Sequence, residues 1–311
     1  MPEKTLTQRL ITVANQNDYL EIWIEKFLID RKIEGFTSGT LYFYKQKLAL
    51  LVKFCEGQAI TSIRQIDADT IRNLLQWLEE TGHNPGGRHC VYRVTKTFIR
   101  WWSNETEPEN WKDPFKRVKA PKLATVPLEP VSIETVKALI TTCKTNEFIG
   151  ARDKAIFLFL IDTGIRASEL LSIGVLDIDL ILGVAVIRKG KGQKSRSVFF
   201  GKSTRRALRA YLKLRNDNNP ALWISDEKEL LTYWGLREII RRRAIRAKVE
   251  APKLHAFRRA FALGMLRNGV DIYTLQKLMG HADLQVLRTY LAQTDNDLAE
   301  SHRQYGIGDR L

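Results

Sequence analysis

A run of seven consecutive apolar residues, Ala155–Ile161, constrains the fold of this chain more than any other feature. A surface helix keeps a polar face toward water, and this run has none, so its helix must be buried on all sides. Gly164 favours the end of that helix, and Ser168 is suited to cap the next one. We therefore expect a packed domain built around residues 155–161.

The same half of the chain contains a predicted β-hairpin. Two short runs with strand character, 183–188 and 195–200, flank a turn that contains Gly190 and Gly192. The rest of this half, from a cap at Ser132 to the end of the chain, favours helices. The expected fold class is therefore mainly α with a small β-hairpin or sheet, which makes this an α+β domain.

The first half of the chain is expected to be wholly helical. Apolar residues recur at helical spacing in four segments, at about 19–32, 38–57, 68–82 and 87–101. Thr37 or Ser38 is the expected cap of the second segment, and Asp67 is the expected cap of the third. Prolines and basic residues then interrupt any helix after Asp113. The sequence thus predicts a helical domain over 13–112, a linker over 113–131, a second domain over 132–292 and a tail over 293–311.

The chain is strongly basic, with 50 Lys and Arg residues against 35 Asp and Glu residues and a formal net charge of +15. Such a charge favours a polyanionic partner, although it does not distinguish DNA from RNA or an acidic membrane surface. A basic protein without such a partner is the alternative. The 3 cysteines form no CxxC pair, and no apolar run reaches the roughly 20 residues of a membrane span. We expect a protein of the reducing cytoplasm with no membrane partner.

Two stretches of the second half place basic residues at tight turns. Arg166 falls at the junction between two predicted helices, where Glu169 is close enough to hold its guanidinium. A purely structural Arg–Glu pair is the alternative. The hairpin turn carries Lys189, Lys191 and Lys194, which would project from the glycine-rich backbone as a basic tip suited to a DNA groove.

Three further stretches carry histidine, arginine and tyrosine. His255 and Arg258 are three residues apart, so they share a helix face. If both are charged, they are electrostatically unfavourable neighbours and make better sense around an anion. Two solvated polar residues are the alternative. His281 follows Gly280, the predicted end of a helix that Asp271 caps. Tyr290 lies near the end of a short predicted helix, where a single tyrosine usually packs in a core.

In this order, the pattern Arg…Lys…His-x-x-Arg…Gly-His…Tyr resembles the tyrosine recombinases, or phage integrase family. The resemblance spans about residues 131–290 and rests on TGIRASEL, GKGQKSR, HAFR and MGH followed by the tyrosine. The helical first half matches the core-binding domain of that family in architecture only. Ala256 and Phe257 stand where members commonly carry Asp-Leu, and Arg259 stands where a histidine is common. None of these three is a catalytic position.

The resemblance implies a site-specific recombinase that cleaves and rejoins DNA strands through a 3′-phosphotyrosine. Attack on a phosphodiester builds negative charge on its non-bridging oxygens, which paired guanidiniums are suited to bind. The implied catalytic residues are Arg166 and Arg258 as the clamp, with Glu169 supporting Arg166, His281 as a further donor, Tyr290 as the nucleophile, His255 as an aid to proton transfer, and Lys191 as the proton donor. Lys189 and Lys194 remain alternatives to Lys191. No metal and no cofactor are expected.

The resemblance also implies a C-shaped clamp around double-stranded DNA, and a tetramer on two DNA sites connected by the tail. The expected DNA contacts are Arg88, Arg93, Lys96, Arg100, Lys189, Lys194, Arg196, Arg241, Arg242 and Arg246. The last three belong to a basic helix that is expected to contact phosphates and that also carries Arg237, Arg243 and Lys248. Such an enzyme is cytoplasmic and nucleoid-associated when bound to DNA. A mobile-element integrase and a resolvase of chromosome dimers both fit.

Two other classes of protein compete with this interpretation. A type IB topoisomerase uses similar residues to relax a single duplex as a monomer. The short chain and the residues after Tyr290 favour a recombinase instead. A DNA-binding protein that has lost catalysis is the second alternative, and the complete set of motifs argues against it.

Overall fold

The computed structural model describes residues 18–123, 129–188 and 195–280, together with residues 299, 302, 303 and 306. Internal contacts divide the chain into two compact units, Met1–Thr125 and Val126–Leu311. Each unit has its own hydrophobic core. Within the described ranges, none of the helices combines the length and the apolar character needed to cross a membrane.

The first unit is helical, as predicted. Its helices are α1 (Leu20–Ile33), α2 (Ser38–Gly57), α3 (Ala68–Glu80) and α4 (Pro85–Thr106). The side chains of Thr37, Asp67 and Asn84 accept hydrogen bonds from the first turns of α2, α3 and α4. Helix α4 begins at Pro85 rather than near Gly87, because Asn84 supplies a cap and proline is well accommodated in a first helical turn.

The segment after α4 packs into the core of the first unit. Phe115 and Val118 are buried there. The hydroxyl of Tyr92 donates to the carbonyl of Val118 at 2.7 Å, and the Tyr92 and Phe115 rings meet edge-on with centroids 5.2 Å apart. The sequence placed both residues in the linker, because the surrounding prolines and lysines obscure two apolar anchors.

The second unit surrounds a small sheet with helices. Its elements are α5 (Ile133–Thr141), α6 (Phe148–Thr163), α7 (Ala167–Leu171), β1 (Ile178–Asp179), β2 (Val184–Ile187), β3 (Arg196–Phe199), α8 (Lys202–Lys213), α9 (Tyr233–Ala247), α10 (Leu254–Arg267) and α11 (Ile272–Met279). The strands are antiparallel in the order β1-β2-β3. Strands β2 and β3 form the predicted hairpin, whereas β1 is too short to give a periodic pattern.

The segment between α8 and α9 is not helical, so the prediction of helices throughout the rest of this unit is wrong there. The guanidinium of Arg215 donates to the carbonyls of Asn219 and Ala221, each at 2.7 Å. It also pairs with the carboxylate of Asp217. These bonds fold the segment around one side chain, and Pro220 interrupts any helix.

Helix α6 lies at the centre of the second unit. Ala155, Ile156, Phe157, Phe159 and Leu160 are buried, while Leu158 and Ile161 are half-buried. The expectation of burial on all sides is therefore correct for most of the apolar run. Phe157 stacks on Phe257 of α10 with ring centroids 6.2 Å apart, which fixes α10 against α6.

The first turns of α6 also hold a buried ion cluster. Asp153 accepts from Nε of Arg152 at 3.0 Å and from Nε of Arg243 at 2.8 Å. All three residues are buried. The sequence counted Arg243 among the phosphate contacts of a basic helix, and this is wrong: Arg243 lies on the core face of α9 and neutralises Asp153.

Candidate active site

The structure describes Arg166, Glu169, Arg196, His255 and Arg258 of the predicted site. The predicted DNA contacts on α4 and α9 are also described, whereas the tail after residue 292 is described at single positions only. The predicted site residues outside the described ranges are Lys189, Lys191, Lys194, His281 and Tyr290.

Arg166 lies between the end of α6 and the start of α7. Gly164 ends α6 with a φ of +57°, and a Cβ there would lie 2.3 Å from Cδ1 of Phe261. Both the backbone conformation and the lack of space therefore require glycine. The backbone N–H of Arg166 donates to Oε2 of Glu169 at 3.0 Å. The prediction that Ser168 caps α7 is wrong, because Ser168 lies inside the first turn and Glu169 reaches back instead.

The buried carboxylate of Glu169 holds two arginine side chains. Its Oε1 accepts from Nη1 of Arg166 at 2.9 Å, and its Oε2 accepts from Nη2 of Arg196 at 2.6 Å. Burial alone would raise the pKa of Glu169, but Arg196 and Arg166 outweigh it and hold that pKa below its usual range. Glu169 is therefore an anion at neutral pH.

Helix α10 carries His255 and Arg258. Nη1 of Arg258 donates to the carbonyl of Gly164 at 2.6 Å, and its Nη2 donates to the carbonyl of Met279 at 2.7 Å. Only 1% of Arg258 is exposed. This side chain thereby joins α10 to the end of α6 and to the end of α11.

The C-terminal end of α11 gathers three guanidiniums. Asp271 caps the start of α11, as predicted, and Gly280 caps its end with a φ of +62°. The carbonyls of Leu278, Met279 and Gly280 accept from Arg196 at 3.0 Å, from Arg258 at 2.7 Å and from Arg166 at 3.4 Å, respectively. The last carbonyls of a helix lack intrahelical partners and carry partial negative charge. This helix end therefore stabilises three cations that would otherwise repel one another.

The imidazole of His255 lies in a positive environment. Although the residue as a whole is exposed, partial burial of the ring lowers the pKa of His255. The charges of Arg259, Arg258 and Arg166 lower it further. His255 is therefore predominantly neutral at pH 7, and its ring nitrogens include one that can accept a proton.

The residues at which the sequence departs from the family pattern occupy packed positions. Ala256, Phe257 and Arg259 are all buried. The carbonyl of Ala256 accepts from the backbone N–H of Val131 at 3.2 Å, and Nη1 of Arg259 donates to the carbonyl of Glu129 at 3.0 Å. These residues thus hold the start of the second unit against α10.

The basic residues predicted to contact DNA have different surroundings. Arg93, Arg242 and Arg246 are exposed, and Lys96 lies over the Tyr92 ring. Three others pair with carboxylates: Arg88 with Glu79, Arg100 with Asp113, and Arg241 with Glu238. Only 15% of the Arg196 side chain is exposed. Sequence reasoning missed the contacts of Arg196 with Glu169 and with the end of α11, since no local pattern indicates them.

Comparison with known proteins places the chain in a family. Residues 131–297 match the phage integrase family. The chain is similar to tyrosine recombinase XerD of Listeria monocytogenes, with 25% identity over 93% of this chain and 98% of the relative. It is also similar to tyrosine recombinase XerA of Pyrococcus furiosus, with 28% identity over 93% of this chain and 95% of the relative.

Solved structures share the fold. The Tn1549 transposon integrase in complex with a circular intermediate DNA matches with a TM-score of 0.73 and 16% identity, over 92% of this chain and 100% of that one. XerH recombinase bound to difH substrate matches with a TM-score of 0.66 and 21% identity, over 94% and 86%. The chain belongs to the phage integrase family of tyrosine recombinases.

The environment of His255 predicts its titration. The imidazole should titrate below pH 6.5, because partial burial and three arginines disfavour its charged form. NMR titration of the 5 histidines, with the signal assigned by its loss in His255→Gln, measures the midpoint. The midpoint should rise in Arg166→Ala, which removes one of the three cations. A His255 midpoint above pH 6.5 that does not change in Arg166→Ala would contradict the positive environment of this imidazole.

The same shift has a consequence for stability. The unfolded chain protonates His255 at a higher pH than the folded chain does. The contribution of His255 to stability is therefore present above about pH 6.5 and is lost as the pH falls below that value.

Proposed function

We propose that this site-specific recombinase cleaves DNA with Tyr290 as its nucleophile and with Arg166 and Arg258 as the cations that bind the phosphate under attack. The observation that carries the proposal is the meeting of both arginines at the end of α11, at the carbonyls of Met279 and Gly280. His281 follows Gly280 directly in the sequence. The Tyr290, His281 and Lys191 assignments rest on the order of the motifs.

In the proposed reaction, the phenolic oxygen of Tyr290 attacks phosphorus and the bond to the 5′-oxygen breaks. The products are a 3′-phosphotyrosine and a free 5′-hydroxyl, and attack by a 5′-hydroxyl reverses the step and rejoins a strand. A phenol has a pKa near 10, so it needs help to lose its proton. Neutral His255 is suited to accept that proton, and Lys191 would protonate the leaving 5′-oxygen.

The arginines would act on the charge that develops on the non-bridging oxygens. A guanidinium presents two parallel N–H donors that match two phosphate oxygens. A lysine ammonium lacks this planar pair of donors. The Arg166 side chain is 29% exposed, whereas Arg258 is 1% exposed. Contact between Arg258 and a phosphate therefore requires that Arg258 become more exposed when DNA binds. Glu169 would keep Arg166 in place through that change.

The charge of +15 and the basic side chains of α4 and α9 favour a polyanionic partner, and membership of the family makes double-stranded DNA the partner that we propose. A type IB topoisomerase is not favoured, because the family match and the named relatives are recombinases. We place the protein in the cytoplasm, at the nucleoid, because its DNA substrates lie there. A mobile element is one source of the two DNA sites that recombine. The expected C-shaped clamp stays a prediction.

Exchange of strands between two duplexes needs two DNA sites, and each site is cut on both strands. We therefore propose four protomers on two sites. The tail from Gln293 to Leu311 is the expected connector between neighbouring protomers. It lies almost entirely outside the described residues, so this role rests on its position directly after the nucleophile.

Replacing Tyr290 by phenylalanine tests the central proposal. Tyr290→Phe should bind DNA but form no denaturation-resistant protein–DNA adduct on a nicked suicide substrate, because only the nucleophilic oxygen is lost. On DNA with two sites, light scattering of this uncleaving variant should show four protomers. Tyr273→Phe is the matched control, since Tyr273 lies exposed on α11, and it should form the adduct. Adduct formation by Tyr290→Phe would show that Tyr290 is not the nucleophile. An assembly of two protomers would contradict the proposed tetramer.

The choice of Lys191 among three lysines predicts a chemical rescue. Lys191→Ala should slow cleavage by about 10²–10⁴, the usual contribution of a general acid. A substrate with sulfur in place of the bridging 5′-oxygen has a better leaving group and should restore cleavage by this variant. Lys189→Ala and Lys194→Ala serve as controls that need no rescue. If sulfur rescues one of these controls and not Lys191→Ala, a different lysine is the proton donor.

A further inference from the structure

We propose that Arg196 is a positioning residue that ties the strand leaving the hairpin turn to Glu169 and to the end of α11, and so holds Arg166 in place for cleavage. The sequence counted Arg196 among the DNA contacts. The inference rests on the proposed function, because it assigns Arg196 a part in the same reaction.

The guanidinium of Arg196 donates hydrogen bonds to two elements, α7 and α11. Arg196 is the first residue of β3, where it pairs with Ile187 of β2. Nη2 donates to Oε2 of Glu169 at 2.6 Å, and Nη1 donates to the carbonyl of Leu278 at 3.0 Å. A phosphate contact would have to compete with both bonds, and the side chain is only 15% exposed. The ion pair with the buried Glu169 carboxylate distinguishes Arg196 from Arg258, whose Nη atoms donate to neutral carbonyls, and it fits a positioning role.

Close packing fixes the stem of the same side chain. A Cβ on Gly280 would lie 2.6 Å from both Cδ and Nε of Arg196. The chain therefore leaves α11 directly against the arginine, at a position where only glycine fits. Gly280 also has a positive φ, so its conformation and its contact with Arg196 impose the same requirement.

Arg196 also controls how Glu169 shares its two oxygens. Oε1 accepts from the side chain of Arg166, while Oε2 accepts from Arg196 and from the backbone of Arg166. Without Arg196, Oε2 loses its cationic partner, and the buried carboxylate can draw the Arg166 guanidinium into a different arrangement. A displacement of about 1 Å in a catalytic group can cost on the order of 10² in rate.

The contacts of Arg196 connect the two stretches of the chain that lie next to the catalytic candidates Lys191 and His281. In the sequence, Arg196 follows Lys191 by five positions, and Leu278 precedes His281 by three. One guanidinium therefore joins the chain just after the hairpin turn to the chain just before His281. Its bond to Glu169 adds Arg166 to the same network.

The test separates cleavage from DNA affinity in the full-length protein. Arg196→Ala should slow adduct formation at saturating suicide substrate by about tenfold to hundredfold, since Arg166 loses its fixed position. Its Kd for DNA should change by less than about threefold, the size of one weak surface charge contact. Arg205→Ala is the matched control, because Arg205 is a half-buried arginine of the same unit that donates to the carbonyl of Ile181 at 2.7 Å. The control should cleave at the wild-type rate.

The pH profile distinguishes positioning from general structural support. Of the described charged groups, Arg166 at the start of α7 and Arg196 on β3 face Glu169. Removal of Arg196 should raise the pKa of Glu169, so the acid limb of the cleavage rate should move to higher pH. Arg196→Lys keeps the positive charge and should return the acid limb toward wild type. It should restore only part of the rate, because an ammonium lacks the planar fork that reaches two acceptors.

A measurement without DNA keeps this inference separate from the proposed function. Carbon NMR of the Glu169 carboxyl, assigned with Glu169→Gln, should show a higher pKa in Arg196→Ala than in the wild type. If the wild type forms no adduct, the proposed function fails, while this pKa still tests the Glu169–Arg196 contact. If the wild type forms the adduct and the pKa of Glu169 is unchanged in Arg196→Ala, the proposed positioning role of Arg196 is wrong.

Two further outcomes would overturn the proposal. The first is a Kd weakened tenfold or more in Arg196→Ala with an unchanged rate at saturating DNA, which would make Arg196 a phosphate contact. The second is a wild-type rate and pH profile in Arg196→Lys and Glu169→Gln. These two variants keep the shape of the site, so they decide the question even if a thermal melt shows that Arg196→Ala does not fold.

Discussion

The candidate active site depends on one constraint: the Glu169 carboxylate and the end of α11 compensate the charge of three guanidiniums. Arg166, Arg196 and Arg258 meet within one site, two of them on Glu169 and all three on carbonyls of residues 278–280. Unpaired buried charges would cost several kcal/mol each. The helix end supplies acceptors without adding another full negative charge that would repel a phosphate.

This arrangement explains why the local backbone is so restricted. Gly164 and Gly280 both adopt positive φ angles, and each lies where a side chain would collide with Phe261 or with Arg196. The carbonyls that receive Arg258 and Arg166 belong to these turns. These tight helix ends therefore place carbonyl acceptors within reach of the arginines. The apolar residues of α6 and the Phe157–Phe257 stack hold α6 and α10 in position. Once the phosphate reaches these donors, their fixed positions keep the reorganisation small during the reaction.

Local sequence patterns predict the elements of this site better than its contacts. Asp271 as a cap, Gly164 and Gly280 as helix ends, and the β2–β3 hairpin follow from residues only a few positions apart. Glu169 beside Arg166 follows in the same way. The contact of Arg196 with Leu278 spans 82 positions and that of Arg258 with Gly164 spans 94, so no local periodicity reports them. The burial of Phe115 and the inward face of Arg243 are likewise decided by packing that is remote in sequence.

The most direct test of this account asks whether Arg258 acts through charge on the phosphate. Cleavage by wild type and by Arg258→Ala is compared at saturating DNA, on a normal phosphodiester and on a methylphosphonate, in which a methyl group replaces the charged non-bridging oxygen. The account predicts a loss of on the order of 10²–10³ on the phosphodiester and a much smaller loss on the uncharged substrate. Equal losses on both substrates would contradict it, because Arg258 would then support the site through packing alone.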